Sequence, residues 1–320
     1  METKRLGSSG PEMSVVGFGA WEAGKGAEWG EAPPDEQIIG AIRTVLETGI
    51  NWIDTAEVYG DGTSEDLVGR AVAGRRDEVL IATKVAPATA GTGFRPDQVP
   101  EACRKSLKRL GTDRIDLYQL HWPDDTGVPI EETWGAMAQL VQEGLVGAVG
   151  VSNFDRELIE RCQAIRHVDS LQQEFSMLAL GHRELIRWCG EQGIGVVSYG
   201  PLAFGLLAGA ITMETTFARE DHRGGRGEDT GTWDALFAPQ KRSRALAVVD
   251  GMRPIAERFG CTIAQLALAW NFHQPGVTSA IGGSRNPAHV RANAAAGDLE
   301  LDAATLEGLE ALLRLGPATG

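Results

Sequence analysis

Residues 78–121, EVLIATKVAPATAGTGFRPDQVPEACRKSLKRLGTDRIDLYQLH, carry the alternation that decides the fold. EVLIATK at 78–84 and IDLYQLH at 115–121 are short apolar runs of strand character, and each ends on a polar residue, Lys84 and His121. Between them, a helix entered at Pro96 sets Val99, Cys103, Leu107 and Leu110 on one face. A strand, a helix and a second strand in that order form a parallel βα unit, because the crossover is too long for a hairpin.

The same alternation runs outward in both directions. Upstream lie SVVGFG at 14–19 and NWIDT at 51–55; downstream lie VGAVGVS at 146–152, SLQQEF at 170–175, GVVSYG at 195–200 and VTSAIG at 277–282. With the first two, that makes eight strands, the number of a closed barrel. Three more helices fall between them. Asp35 is placed to cap one carrying Ile38, Ile42, Val45 and Leu46 and ending at Gly49. Another runs from Glu131 to Gly144 through Trp134, Met137 and Val141, and another from Arg183 to Gly193 through Leu185, Ile186 and Cys189. The first sixteen residues, with GSSG and Pro11 at a turn, predict a small hairpin ahead of the barrel. Two irregular stretches, 85–95 and roughly 202–242, each follow a strand and so belong on the carboxyl-end face. No internal repeat or boundary interrupts the pattern. The expected fold class is α/β, a single (β/α)8 TIM barrel domain over residues 1–320 with a short N-terminal β-hairpin.

Composition narrows the function. The 320 residues hold no apolar run long enough to span a bilayer, and the N-terminus lacks the apolar core of a secretory signal, so a cytoplasmic location is expected. Thirty Lys and Arg against 44 Asp and Glu leave a net charge of −14, which disfavours binding to a phosphate backbone. Cys103, Cys162, Cys189 and Cys261 form no C-x-x-C and read as reduced core thiols. The six histidines form no H-x-H or H-E-x-x-H, so a metal-dependent hydrolase is the weakest alternative and no metal is expected.

The chemistry gathers at strand ends. Asp54 closes NWIDT, Tyr59 follows five residues later, and Lys84 and His121 close the next two strands. An unpaired charge buried there costs several kcal/mol, so Lys84 needs a partner, and Asp54 is the obvious one. A phenol, an ammonium, a carboxylate and an imidazole on one rim suit proton transfer at a carbonyl. An ammonium about 4 Å from the phenol is worth about 4 kcal/mol at an effective dielectric of about 20. That predicts a Tyr59 pKa pulled below its ordinary value of about 10. His121 can orient a substrate oxygen, and a reduction also needs a hydride donor, which no side chain supplies. G-F-G-A-W at 17–21 lacks the third glycine of a Rossmann fingerprint, so cofactor binding falls to barrel loops.

Seven ordered motifs then coincide: G-x-N-x-I-D-T-A-x-x-Y-G at 49–60, the lysine of IATK, L-H-W-P-D at 120–124, G-x-V-G-V-S-N-F at 147–154, Q-x-E-F-S at 172–176, S-Y-G-P-L-A-x-G-L-L at 198–207 and I-G-G-S-R-N-P-x-H-V-x-x-N at 281–293. Over nearly its whole length the chain resembles the aldo-keto reductase family. The resemblance implies that Asp54, Tyr59, Lys84 and His121 form a catalytic tetrad with Tyr59 as general acid. It implies NADPH/NADP+ as cofactor, with NADH as the alternative. Ser152, Asn153 and Gln172 would bind the nicotinamide carboxamide and Tyr199 would stack on its ring. Gly200, Pro201, Leu202, Ala203, Gly205 and Leu207 would pass the pyrophosphate, with Ala20 and Trp21 beside the cofactor. Gly283, Ser284, Arg285, His289 and Asn293 would hold the adenosine end, Arg285 suiting a 2′-phosphate. The family often has Arg or Gln at the position of His289 and Glu at that of Ala292, so this chain departs from it at the adenosine end.

A small-molecule carbonyl substrate is expected, held by Trp21, Tyr59, His121 and Trp122, with Trp29, Phe94, Trp233 or Phe237 as further candidates from the loops. The alternative function is a cofactor-holding regulatory or scaffold subunit with little turnover, against which the full tetrad argues. Neither the substrate's identity nor the oligomeric state is legible in the sequence.

Overall fold

Each of the eight apolar runs becomes a strand, and in the computed structural model they close on one another. The structure describes residues 1–25, 31–218, 221–224 and 233–316. The strands are β3 (Val16–Gly19), β4 (Trp52–Asp54), β5 (Leu80–Val85), β6 (Ile115–Leu120), β7 (Val146–Ser152), β8 (Ser170–Glu174), β9 (Gly195–Tyr199) and β10 (Val277–Ile281). They form a closed parallel barrel in the order β10-β3-β4-β5-β6-β7-β8-β9. Ahead of it, β1 (Thr3–Arg5) and β2 (Glu12–Ser14) pair antiparallel as the expected hairpin, with Thr3 opposite Ser14.

Period-two alternation splits the strand residues between two cores. The inward set, Trp52, Ala82, Leu117, Ala148, Val197 and Ile281, packs with Leu6 and Met13 of the hairpin region. The hairpin thus plugs the amino-end floor, where the Lys4 ammonium also donates to the Phe272 carbonyl at 2.5 Å. Gly17 makes this packing feasible: a Cβ there would lie 2.0 Å from the Trp52 ring. The Trp52 indole in turn donates to Ser279 Oγ at 3.0 Å and to the Ser14 carbonyl at 3.2 Å.

The outward set meets the helices. α1 (Asp35–Thr48) buries Ile38, Ile42 and Val45 and stops at Gly49, whose φ of 80° is left-handed as expected. Asp35 is not the cap: the N-cap is Pro34, which contributes no side-chain bond, and Asp35 is the first helical residue, its carboxylate joined to Lys25 and Arg70. Two cations nearby outcompete a capping bond for that carboxylate. α2 is Thr63–Val72 and α3 is Gln98–Leu110, the latter starting two residues after Pro96 and burying Val99, Cys103, Leu107 and Leu110. α4 (Ile130–Gln142), α5 (Arg156–Gln163) and α6 (Arg183–Glu191) continue the ring. It is completed by α7 (Pro239–Phe259), α8 (Ile263–Phe272), α9 (Pro287–Ala295) and α10 (Ala303–Leu312). The stretch expected to be irregular after β9 is helical in part: residues 203–208 form a short 3-10 segment. No described helix is long and apolar enough to cross a membrane.

Gly17→Ala should lower unfolding stability by about 2 kcal/mol through overpacking against Trp52. Gly40→Ala, inside α1 with no atom within 4 Å of the new Cβ, should raise it by about 0.5–1 kcal/mol. Urea denaturation of the two variants checks both signs.

Candidate active site

β4 and β5 are hydrogen-bonded neighbours with Asp54 opposite Ala82, so Lys84, two residues further along β5, shares its face of the sheet and rises beside it at the barrel mouth. Lys84 is fully buried. Its ammonium donates to Asp54 Oδ2 at 2.6 Å, to the Thr55 carbonyl at 2.8 Å and to Tyr59 Oη at 3.2 Å. All three N–H groups therefore have acceptors, the condition under which a buried charge is tolerable. Asp54 is held from the other side by Gln172, whose amide nitrogen donates to Oδ1 at 2.8 Å. The backbone amide of Ala20 donates to the Asp54 carbonyl at 2.8 Å, fixing the strand end itself.

Because Lys84 donates to the Tyr59 oxygen, the phenol's own proton is directed elsewhere, and the residue lines the mouth cleft. The His121 ring lies edge-on to Tyr59 with centroids 5.5 Å apart, and Trp21 stacks on Tyr59 at 6.2 Å. His121 Nδ1 is buried without a hydrogen-bond partner. A lone acceptor is cheaper to bury than a lone N–H, so the favoured tautomer carries its proton on Nε2. Burial, aided by the nearby Lys84 charge, holds this imidazole well below its ordinary pKa, so the ring is neutral.

One expectation is overturned. Burial pushes the Tyr59 phenol well above its ordinary pKa, and the Asp54 carboxylate adds to the effect. The ammonium cannot pull it down as a lone charge would, because Asp54 lies 2.6 Å away and cancels most of its field. Burial also lowers the Lys84 pKa, against the attraction of Asp54. The site thus rests as a protonated phenol beside a neutralised ion pair.

Beside this group lies a cleft of about 890 Å³, lined among others by Trp21, Tyr59, His121, Trp122, Tyr199 and Asn293. It sits near the top of the range of about 300–1,000 Å³ usual for ligand sites, so it has room for more than a small carbonyl compound. Ser152, Asn153 and Gln172 line it together. The Asn153 amide donates to Ser152 Oγ at 3.1 Å and to the His121 carbonyl at 3.2 Å, and it accepts from Tyr199 Oη at 2.9 Å. Asn153 holds a left-handed φ of 60°, which Asn tolerates better than most residues. Ser152 keeps its hydroxyl proton to donate, and Gln172, its nitrogen committed to Asp54, keeps its carbonyl oxygen to accept. One donor beside one acceptor is what a primary carboxamide requires, so these residues fit the nicotinamide end of NADP(H).

Gly200, Pro201, Leu202 and Gly205 also line the cleft, as do Gly283, Ser284, Arg285 and His289. Several expected residues do not. Ala20, Ala203 and Leu207 are buried and do not line the cleft, Leu207 packing in the outer core. In Leu207's case, the 3-10 turn, with Phe204 and Gly205 at positive φ, rotates it inward and Phe204 outward. Phe94 and Phe237 are core residues, Phe237 packing edge-on to Phe217 at 5.5 Å. Trp29 and the side chain of Trp233 lie outside the described residues. Glu22, Phe204 and Arg223 line the cleft without having been singled out. So did Glu57 escape notice: its buried carboxylate accepts from Ala86 N at 2.9 Å, Thr92 N at 3.1 Å and Thr92 Oγ1 at 2.8 Å, tying the Tyr59 loop to the loop after β5. Its place two residues before Tyr59 was the available signal. Among the described residues no group of His, Cys, Asp and Glu could hold a metal ion.

Residues 15–314 match the model of the Aldo/keto reductase family. The chain is 36% identical over 300 residues to aldo-keto reductase YhdN of Bacillus subtilis, covering 91% of this chain and 87% of that protein. It is 32% identical over 317 residues to the NADH-specific methylglyoxal reductase of Escherichia coli, covering 92% and 93%. The structure matches that of glycerol dehydrogenase AKR11B4 from Gluconobacter oxydans with a TM-score of 0.85 at 30% identity, over 97% and 94% of the two chains. It matches an aldo/keto reductase from Klebsiella pneumoniae in complex with NADP and acetate with a TM-score of 0.73 at 30% identity, over 99% and 98%.

Asp54→Asn removes the countercharge of a buried ammonium and should cost about 3 kcal/mol of stability. Comparison of urea midpoints for the wild type and this variant at neutral pH measures it.

Proposed function

Since the chain belongs to the aldo/keto reductase family of oxidoreductases, we propose that it is an NADP(H)-dependent reductase of a small-molecule aldehyde or ketone, with Tyr59 as general acid. The observation that carries this is the hydrogen bond from Lys84 to Tyr59 Oη at 3.2 Å. It occupies the phenol oxygen from behind and leaves the phenol proton to face the cleft. The dinucleotide supplies the hydride when bound. His121 Nε2–H holds the substrate oxygen next to the phenol, and Tyr59 passes its proton to that oxygen as the carbonyl carbon becomes that of an alcohol. The ammonium of Lys84 then lies against the phenolate left behind, so its charge acts after the proton has gone and not before. Solvent returns the proton to Tyr59 once product leaves.

Ser152 and Gln172 would hold the carboxamide, and Tyr199 would lie against the nicotinamide ring. Gly200 to Gly205 would pass the pyrophosphate. Arg285, with Ser284, His289 and Asn293, would take the adenosine end, Arg285 favouring a 2′-phosphate. Trp21 and Trp122 would wall the substrate. The NADP complex of the Klebsiella relative supports NADP(H), and the name of the Escherichia coli relative keeps NADH in view. We assign this activity to the whole chain as one unit. We place it in the cytoplasm, with which four unpaired cysteines agree, and the acidic net charge argues against a nucleic-acid partner.

The purified protein should quench on adding NADPH and oxidise it with a nitrobenzaldehyde. Tyr59→Phe should keep NADPH affinity within about two-fold while kcat falls about a hundred-fold or more; near-native turnover would remove the role given to Tyr59. A protein that quenches but reduces nothing would instead be a nucleotide-holding subunit.

A phenol raised in pKa keeps its proton, and an imidazole lowered in pKa stays neutral, across the physiological range. The kcat for reduction should therefore be flat between about pH 6 and pH 8. A titration inside that interval, seen in stopped-flow rates, would contradict the assignment.

A further inference from the structure

The short 3-10 turn after β3, Trp21–Gly24, carries a carboxylate that neither the fold nor the proposed chemistry uses. Glu22 lines the cleft, its side chain about a quarter exposed at 26%, and its Oε2 lies 3.8 Å from Arg285 Nε. The backbone amide of Arg285 and the Arg223 guanidinium also face it. The turn between β10 and α9 thus presents a guanidinium to an anion, and the chain's own carboxylate lies beside it, while Arg285 Nη1 also donates to the Glu31 carbonyl at 3.4 Å.

We infer that Glu22 is a specificity-determining residue of the nucleotide site, an internal rival that holds Arg285 against the 2′-phosphate and so narrows the preference for NADPH over NADH. This rests on the nucleotide-site reading above. A 2′-phosphate must draw Arg285 away from Glu22 and then sit near a carboxylate of like charge. A dinucleotide with a free 2′-hydroxyl needs no such exchange and leaves the pair intact. The penalty therefore falls on the phosphorylated cofactor alone. The pair is partly solvated, so the effect is modest, about five-fold in affinity. Among the described residues Glu22 caps no helix, and Arg285 and Arg223, which face it, line the same cleft.

The test is equilibrium titration of the full-length protein with NADPH and with NADH, read by fluorescence quenching, for wild type and Glu22→Gln. Gln keeps the size and the accepting oxygen of the side chain and removes the charge. NADPH should bind the variant about five-fold tighter, while NADH changes less than about two-fold. The gain should vanish when Arg285→Ala is combined with Glu22→Gln. Unchanged NADPH affinity, equal gains for both nucleotides, or a gain that survives without Arg285 would each overturn the inference while leaving the nucleotide site in place. Failure of either nucleotide to bind either protein would remove the underlying reading and the inference with it. Thermal melting confirms that the variant is folded, and Glu22→Ala repeats the comparison if Glu22→Gln is not.

Discussion

A buried ammonium at the barrel mouth is the constraint around which this structure is arranged. Lys84 has no solvent, so its three protons must each find an oxygen, and three segments are positioned to supply them: the end of β4 through Asp54, the following turn through Thr55, and the loop beyond through Tyr59. An isolated charge at this depth would be prohibitive. The same need orders the loops. Glu57 grips the segment after β5, and Ala20 clasps the Asp54 backbone, so the phenol is held by its surroundings and not by the tyrosine's own packing alone.

The network does not end at the ion pair. Asp54 passes to Gln172, and His121 passes through its carbonyl to Asn153, which reaches Ser152 and Tyr199. The two sets are joined where the Asn153 backbone N–H donates to the Gln172 carbonyl at 3.0 Å, so groups suited to proton transfer and groups suited to an amide ligand are linked from β4 and β5 round to β9. Seating a ligand on the second set constrains the first, which couples binding to the geometry of reaction without any moving part.

Much of this was legible in residue order. Parallel strands buried on both faces read as short apolar runs, and a charged residue at the end of such a run has few explanations besides a shared site. What escaped has physical causes. α8 is buried at every position except Ala264 and Gln265, so it has no polar stripe to announce its period. The Phe204–Gly205 kink exchanges which side chains face the cleft, and positive φ at Phe204 is not written in its identity. Asp35 resembles a cap until two cations from distant segments reach it. The direction in which the Tyr59 phenol moves depends on a charge cancelling another charge, and pairwise reasoning with one partner reverses the sign.

The hairpin that stoppers the barrel floor also decides how the interior exchanges with water. Leu6 and Met13 are wedged among Trp52, Leu117 and Val197, and among the described residues this packing closes the floor. Asp54 lines the cleft at the opposite end, so whatever fills the mouth covers the approach to the Lys84–Asp54 pair from that side. A ligand seated there therefore slows the exchange of the Lys84 ammonium protons with solvent from that side, while the Asp54 carboxylate, which only accepts, has none to exchange.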